Sequence, residues 1–157
     1  MRCSDGVVRE VDILLFKKSK LLRDIIEDYL EEDSEILLLK VDSKYLDLIV
    51  QYLEHYKDME PKEIPKPFPE RTDDAFLRGI VNDDWTFNYL KNMSIQEAIN
   101  LINAADYMQI DGLINILAAK IYHEICNCDL EEYMKKCGIE TNLTEEEIAE
   151  IDIYPLD

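Results

Sequence analysis

The sequence predicts an α+β fold, a small sheet with surrounding helices, continued by a helical C-terminal extension. Three observations carry this reading. Residues 1–60 alternate between strand-type and helix-type patterns, the stretch 60–79 holds four prolines, and the remainder carries repeated helix-start signals.

In the alternating part, Asp5-Gly6 is a tight-turn pair that can join a short strand over residues 1–4 to one over 7–12. Ser19 stands just before residues 20–30, where Leu21, Leu22, Ile25, Ile26 and Tyr29 share one helical face. Its hydroxyl is a natural N-cap, because it can accept a hydrogen bond from a backbone N–H that the first helical turn leaves unpaired. Residues 36–41 form an apolar run of strand type. Residues 44–56 read as a second amphipathic helix, with Leu46, Ile49, Val50 and Leu53 inward and Ser43 ahead of it.

Pro61, Pro65, Pro67 and Pro69 then interrupt any regular element, since proline lacks the N–H that helices and inner strands use. Residues 60–79 therefore read as a proline-rich acidic loop, long enough to be either disordered or functional. Beyond it, Ser94-x-x-Glu97 is a capping box ahead of a helix over 95–108. Asp111 can cap a helix over 112–126. Asp129-x-x-Glu132 opens a shorter helix that Gly138 terminates, and Thr144-x-x-Glu147 opens a last one that Pro155 stops. The expected organisation is a domain over 1–126 and a helical extension over 127–157.

The charge narrows the function classes. Seventeen basic against 35 acidic side chains give a formal net of -18. Such a surface repels phosphate backbones and anionic lipid heads, so the expected partners include no nucleic acid and no membrane. No apolar run approaches the roughly 18–20 residues that span a bilayer, and the N-terminus has no signal-peptide core. A cytoplasmic or nuclear location with reduced cysteines is expected.

Chemistry for catalysis is missing. The four glycines are scattered, no serine sits in a nucleophile-elbow pattern, and of two histidines His55 lies at a charged helix end that reads as solvated. With 35 acids, no single carboxylate pair is informative. No catalytic residue and no cofactor are assigned. The cluster His123-x-x-Cys126-x-Cys128, with Cys137 nine residues on, has ligand types that zinc accepts. Cys-x-Cys is a poor match to the paired Cys-x-x-Cys spacing, so these read as packing residues and no metal is expected.

The most informative helix covers residues 112–125. Leu113, Ile114, Ile116, Leu117, Ile121, Tyr122 and Ile125 are apolar, and Ala118 and Ala119 leave almost no polar face. A helix at the edge of one core has a single apolar stripe. One that is apolar nearly all round needs cover on two sides, from its own domain and from a following segment or a partner.

The residues just before this helix, Leu101-Ile102-Asn103-Ala104-Ala105-Asp106-Tyr107-Met108-Gln109-Ile110-Asp111-Gly112-Leu113, resemble the F-box-binding adaptor subunit of SCF-type ubiquitin ligases. Its characteristic segment reads A-A-N-Y-L-x-I-x-G-L. Ser4-Asp5-Gly6 with Glu10-Val11-Asp12, Ser19 before a helix ending Ile26-Glu27-Asp28, and the proline-rich loop fit the same family in order. So do Trp85-x-x-x-Tyr89-Leu90, and Leu130-Glu131-Glu132 through Ile139 to Asn142-Leu143-Thr144-Glu145-Glu146-Glu147. The resemblance implies a BTB/POZ fold and a non-catalytic adaptor that links a cullin scaffold to F-box proteins, the substrate receptors. It implies a cullin contact at Asp106 and Tyr107. It places the F-box contact at Leu117, Ile121 and Ile125, continuing through Met134, Cys137, Ile139 and Leu143.

Several positions depart from the family pattern. Asp106 stands where the family has Asn, Leu130 where it has Pro, and Cys137 where it has an aromatic residue. The family's late Trp is missing near the end, which suggests a divergent member with a shorter F-box clamp and altered receptor choice. Two neighbouring classes share the BTB core. An elongin C-like adaptor lacks a tail after about Cys126, and a self-associating BTB domain usually sits inside a larger protein.

Overall fold

The computed structural model describes residues 1–29, 35–64, 66–68, 74–81, 83–126 and 128–139. The chain divides into two compact units, Met1–Asn127 and Cys128–Asp157. In the first, a 3-10 turn Ile13–Lys18 leads into α1 (Lys20–Tyr29). There follow α2 (Ser43–His55), α3 (Asp74–Val81), α4 (Asp84–Lys91), α5 (Ile95–Tyr107) and α6 (Asp111–Ile125). The second unit contains α7 (Leu130–Cys137).

The fold is helical, not α+β: among the described residues there is no strand and no sheet. The three segments that read as strands do meet. The Cys3 N–H donates to Val7 C=O at 2.9 Å, and the Arg9 N–H to Met1 C=O at 2.8 Å. The Arg2 N–H donates to Ile36 C=O, and Arg2 C=O accepts from the Leu38 N–H, both at 2.8 Å. Yet only isolated bridges result, Arg2 with Val8 antiparallel and Arg2 with Leu37 parallel. Local chemistry cuts the pairing short on both sides. Asp12 caps the 3-10 turn, its carboxylate accepting from the Leu14 N–H at 2.9 Å. The chain turns again at Leu39-Lys40. The alternation still selects faces, since Ile36, Leu38 and Val41 are buried while Leu37 and Leu39 are exposed.

The helix caps vary in form. Ser94 and Glu97 form the full capping box that opens α5, and Asp129 caps α7 through the Glu132 N–H at 2.8 Å. At α6 the expected cap is absent: the helix begins after Ile110, and the Asp111 carboxylate instead pairs with Lys20 Nζ at 2.6 Å. The proline-rich loop is shorter than expected, because α3 occupies its last third. Pro65, Pro69 and residues 70–73 lie outside the described residues, as do Leu143 and the expected helix after Thr144.

The core of the first unit sits where α5 and α6 pack together against α2. Leu101, Ala104, Ala105 and Met108 of α5 are buried with Leu113, Ile116 and Leu117 of α6 and with Leu46, Ile49, Tyr52 and Leu53 of α2. Each fully buried Leu or Ile contributes on the order of 1.5–3 kcal/mol relative to exposure. Close approach is allowed at one point by a missing side chain. A Cβ on Gly112 would lie 2.6 Å from Tyr52 Oη and 2.9 Å from Pro61 Cγ.

Candidate functional site

Asp106 and Tyr107 lie at the C-terminal end of α5. The Ile110 N–H bonds back to Ala105 C=O at 3.0 Å and the Gln109 N–H to Asp106 C=O at 2.9 Å. This double bond pattern closes a helix when one residue adopts a left-handed backbone, here Gln109 at φ 55°. The termination turns the chain sharply and leaves Asp106 exposed and Tyr107 half-buried. A residue far away in sequence joins them: Lys40 Nζ sits 5.9 Å from the centre of the Tyr107 ring. Next to it Leu39 is 74% exposed. Lys40 carried no sequence signal, because 66 residues separate it from Asp106.

On α6 the three faces differ. Leu113, Ile116, Leu117 and Lys120 point into the core. Leu117, one of the residues that the resemblance assigns to the F-box contact, is thus fully buried. Lys120 is 3% exposed and pairs with Glu124 at 2.5 Å, one turn along. Ile114, Ala118, Ile121 and Ile125 recur at i, i+4, i+7 and i+11, and all four are half-buried. Ile121 and Ile125 are on this stripe as expected. Ile114 and Ala118 extend it and were readable from the same spacing. A third face carries Gly112, Asn115 and Tyr122, and the proline-rich segment packs on it. Besides Pro61 at Gly112, Lys66 Nζ donates to Asn115 Oδ1 at 3.2 Å, and the Phe68 ring is 4.9 Å from the Tyr122 ring.

In the second unit, α7 ends at Gly138, whose φ of 64° closes the helix, with the Ile139 N–H bonding to Met134 C=O at 2.9 Å. Met134 and Cys137 are half-buried and Ile139 is 47% exposed. Lys136 is held between Cys128 Sγ at 3.2 Å and Glu132 at 3.1 Å. The hydrogen bond to Cys128, then that to Glu132, keeps its ammonium more firmly protonated than an ordinary lysine.

All four cysteines are free thiols. Among the described residues no group of three His, Cys, Asp or Glu side chains is placed to hold a metal ion. His55 is not solvated as its neighbours in sequence suggested. Its ring stacks on Trp85 at 4.1 Å and 9°, and Nε2 lies 3.4 Å from Asp83 Oδ1. Trp85 stacks in turn on Tyr89 at 4.9 Å. No helix among the described residues is long and apolar enough to cross a membrane.

Comparison with known proteins decides the family. The profile described as "Skp1 family, tetramerisation domain" matches residues 1–58. The S-phase kinase-associated protein 1 homolog of Tetrahymena thermophila is 32% identical over 147 residues, 94% of this chain and 85% of that protein. The chain belongs to the Skp1 family. This family consists of non-catalytic adaptors, and the chain is accordingly not an enzyme. The matched profile ends within three residues of α2, before the helices that carry the two surfaces. The Skp1-family relationship beyond that point rests on the longer match to the Tetrahymena protein.

Proposed function

We propose that this Skp1-family chain bridges a cullin scaffold and F-box substrate receptors within a ubiquitin ligase, using two separate surfaces. Asp106 and Tyr107, with Lys40 over the tyrosine ring, face the cullin. The stripe of Ile121 and Ile125, extended by Ile114 and Ala118, faces the F-box. In the second unit Met134, Cys137 and Ile139 provide further receptor contacts, joined by Leu143 beyond the described residues. Leu117 supports this surface from within the core and makes no direct contact.

The observation that carries the proposal is the half-buried aliphatic stripe on α6. Four apolar side chains in helical register, of which Ile114 and Ile121 pack partly on the core while all four keep some surface outside it, are the pattern by which one helix receives another. Tyr107 packs partly on the core yet keeps part of its surface outside it at a sharply turned helix end, which supports the second surface, since amphipathic rings so placed are common interface anchors. The test is reconstitution. Purified chain should bring a cullin N-terminal domain and an F-box protein together in one complex on gel filtration, while those two alone elute apart. Separate elution in the presence of the chain would contradict the bridging role.

A further inference from the structure

The contacts along α6 assign a role to the proline-rich segment that its sequence left open. Pro61, Lys66 and Phe68 meet Gly112, Asn115 and Tyr122 in the same order, over ten residues or about 15 Å of helix. The segment is thus laid along α6, next to the stripe. Tyr122 is four residues from Ala118 and three from Ile125, the spacings at which helical side chains touch.

Phe68 differs from Ile64, the other large apolar residue described in the segment. Ile64 is buried, as a residue that only seals the helix should be. Phe68 stays half-buried, although it contacts two rings: Tyr122, tilted by 32°, and Phe76 of α3, edge-on at 6.2 Å. Phe68 is therefore not sealed in the core, and through Tyr122 it borders the stripe. Aromatic side chains so placed are typical interface anchors, having large area and few torsions to freeze. Pro61 and Pro67 fix their own φ angles, which lowers the entropy the segment loses when a partner arrives.

We propose that Phe68 forms a wall of the receptor surface and discriminates between F-box proteins by the apolar side chain they present beside Tyr122. This rests on the reading of the α6 stripe as the F-box surface. The test uses the full chain with Phe68→Ala and two purified F-box domains chosen beforehand because they bind the unaltered chain. Binding to a cullin N-terminal domain is measured in parallel. At least fivefold weaker binding to one or both F-box domains, a changed ratio between the two, and unchanged cullin affinity are expected. If Phe68→Ala does not fold, Phe68→Leu takes its place, and a threefold change in the ratio is expected. If F-box binding is unchanged in the folded variant while Ile125→Asp abolishes it, the wall is refuted and the stripe stands. If neither substitution weakens F-box binding, the reading of the stripe fails as well. Equal weakening of the F-box and cullin interactions would also overturn the proposal, since that marks a general disturbance of the fold.

Discussion

The Ser19 hydroxyl donates to the Met108 carbonyl at 2.6 Å while accepting from the Leu22 N–H at 3.2 Å. One fully buried side chain thereby caps the start of α1 and holds the turn that follows Tyr107. Ser19→Ala leaves two buried backbone groups without this partner. The expected loss is about 2–4 kcal/mol, the sum of a lost cap and an unsatisfied buried carbonyl. An unfolding free energy from urea titration within a few tenths of a kcal/mol of wild type would show that the backbone finds other partners.

Gly112 and Gly79 should respond in opposite directions to alanine. At Gly112 the new Cβ meets Tyr52 Oη at 2.6 Å and Pro61 Cγ at 2.9 Å, so either α2 or the proline-rich segment must shift. The expected cost is about 1–3 kcal/mol, as for other overpacked sites. Gly79 lies in α3 with nothing within 4 Å of the position. There alanine should stabilise by about 0.5–1 kcal/mol, because glycine gives up more chain entropy on entering a helix. Thermal denaturation of both variants checks the pair.

Acid sensitivity should trace in part to Asp83. Burial pushes its carboxyl up, but the Thr86 N–H, the Thr86 and Tyr56 hydroxyls and the nearby His55 outweigh it and hold the value below the ordinary one. A depressed folded value means stability that is present above the unfolded value of about 3.9. It is lost as pH falls through the folded value. Asp83→Asn keeps an oxygen for the Thr86 N–H but does not titrate. Urea midpoints measured from pH 6 down to pH 3 should fall less steeply for the variant. Parallel curves would show that Asp83 does not contribute to acid unfolding. Burial, helped by the hydrogen bond to Asp83 and opposed by that with Thr86, also pushes the Tyr56 hydroxyl up to about 12, so it remains a donor to Asp83 throughout this range.

Much of the helical part was legible because capping is local chemistry. Ser94 with Glu97, and Asp129 with Glu132, need only residues three apart, and both form. The sheet was misread because strand length depends on what the neighbouring segments do. Arg2 pairs with Val8 as the turn signal suggested and also with Leu37, but Asp12 and the Leu39-Lys40 turn redirect the chain after one rung. The resemblance assigned Leu117 to the F-box contact and it is buried, since on a helix apolar nearly all round the buried and partner-facing positions have the same composition. The contacts of Lys40 with Tyr107 and of Phe68 with Tyr122 join residues 67 and 54 apart, and no local pattern encodes them. The aromatic stack hid His55 for the same reason, as Trp85 arrives from a different helix.

The bridging account stands most directly on the independence of its two surfaces. Tyr107→Lys and Ile125→Asp should be measured side by side, each against a cullin N-terminal domain and an F-box domain by calorimetry. Tyr107→Lys should weaken cullin binding and spare the F-box. Ile125→Asp should weaken F-box binding at least tenfold, which corresponds to about 1.4 kcal/mol, and spare the cullin. Both variants should melt close to wild type, since Tyr107 and Ile125 are only half-buried. A folded variant that loses both partners, or a pair in which neither loses its own, would contradict the account.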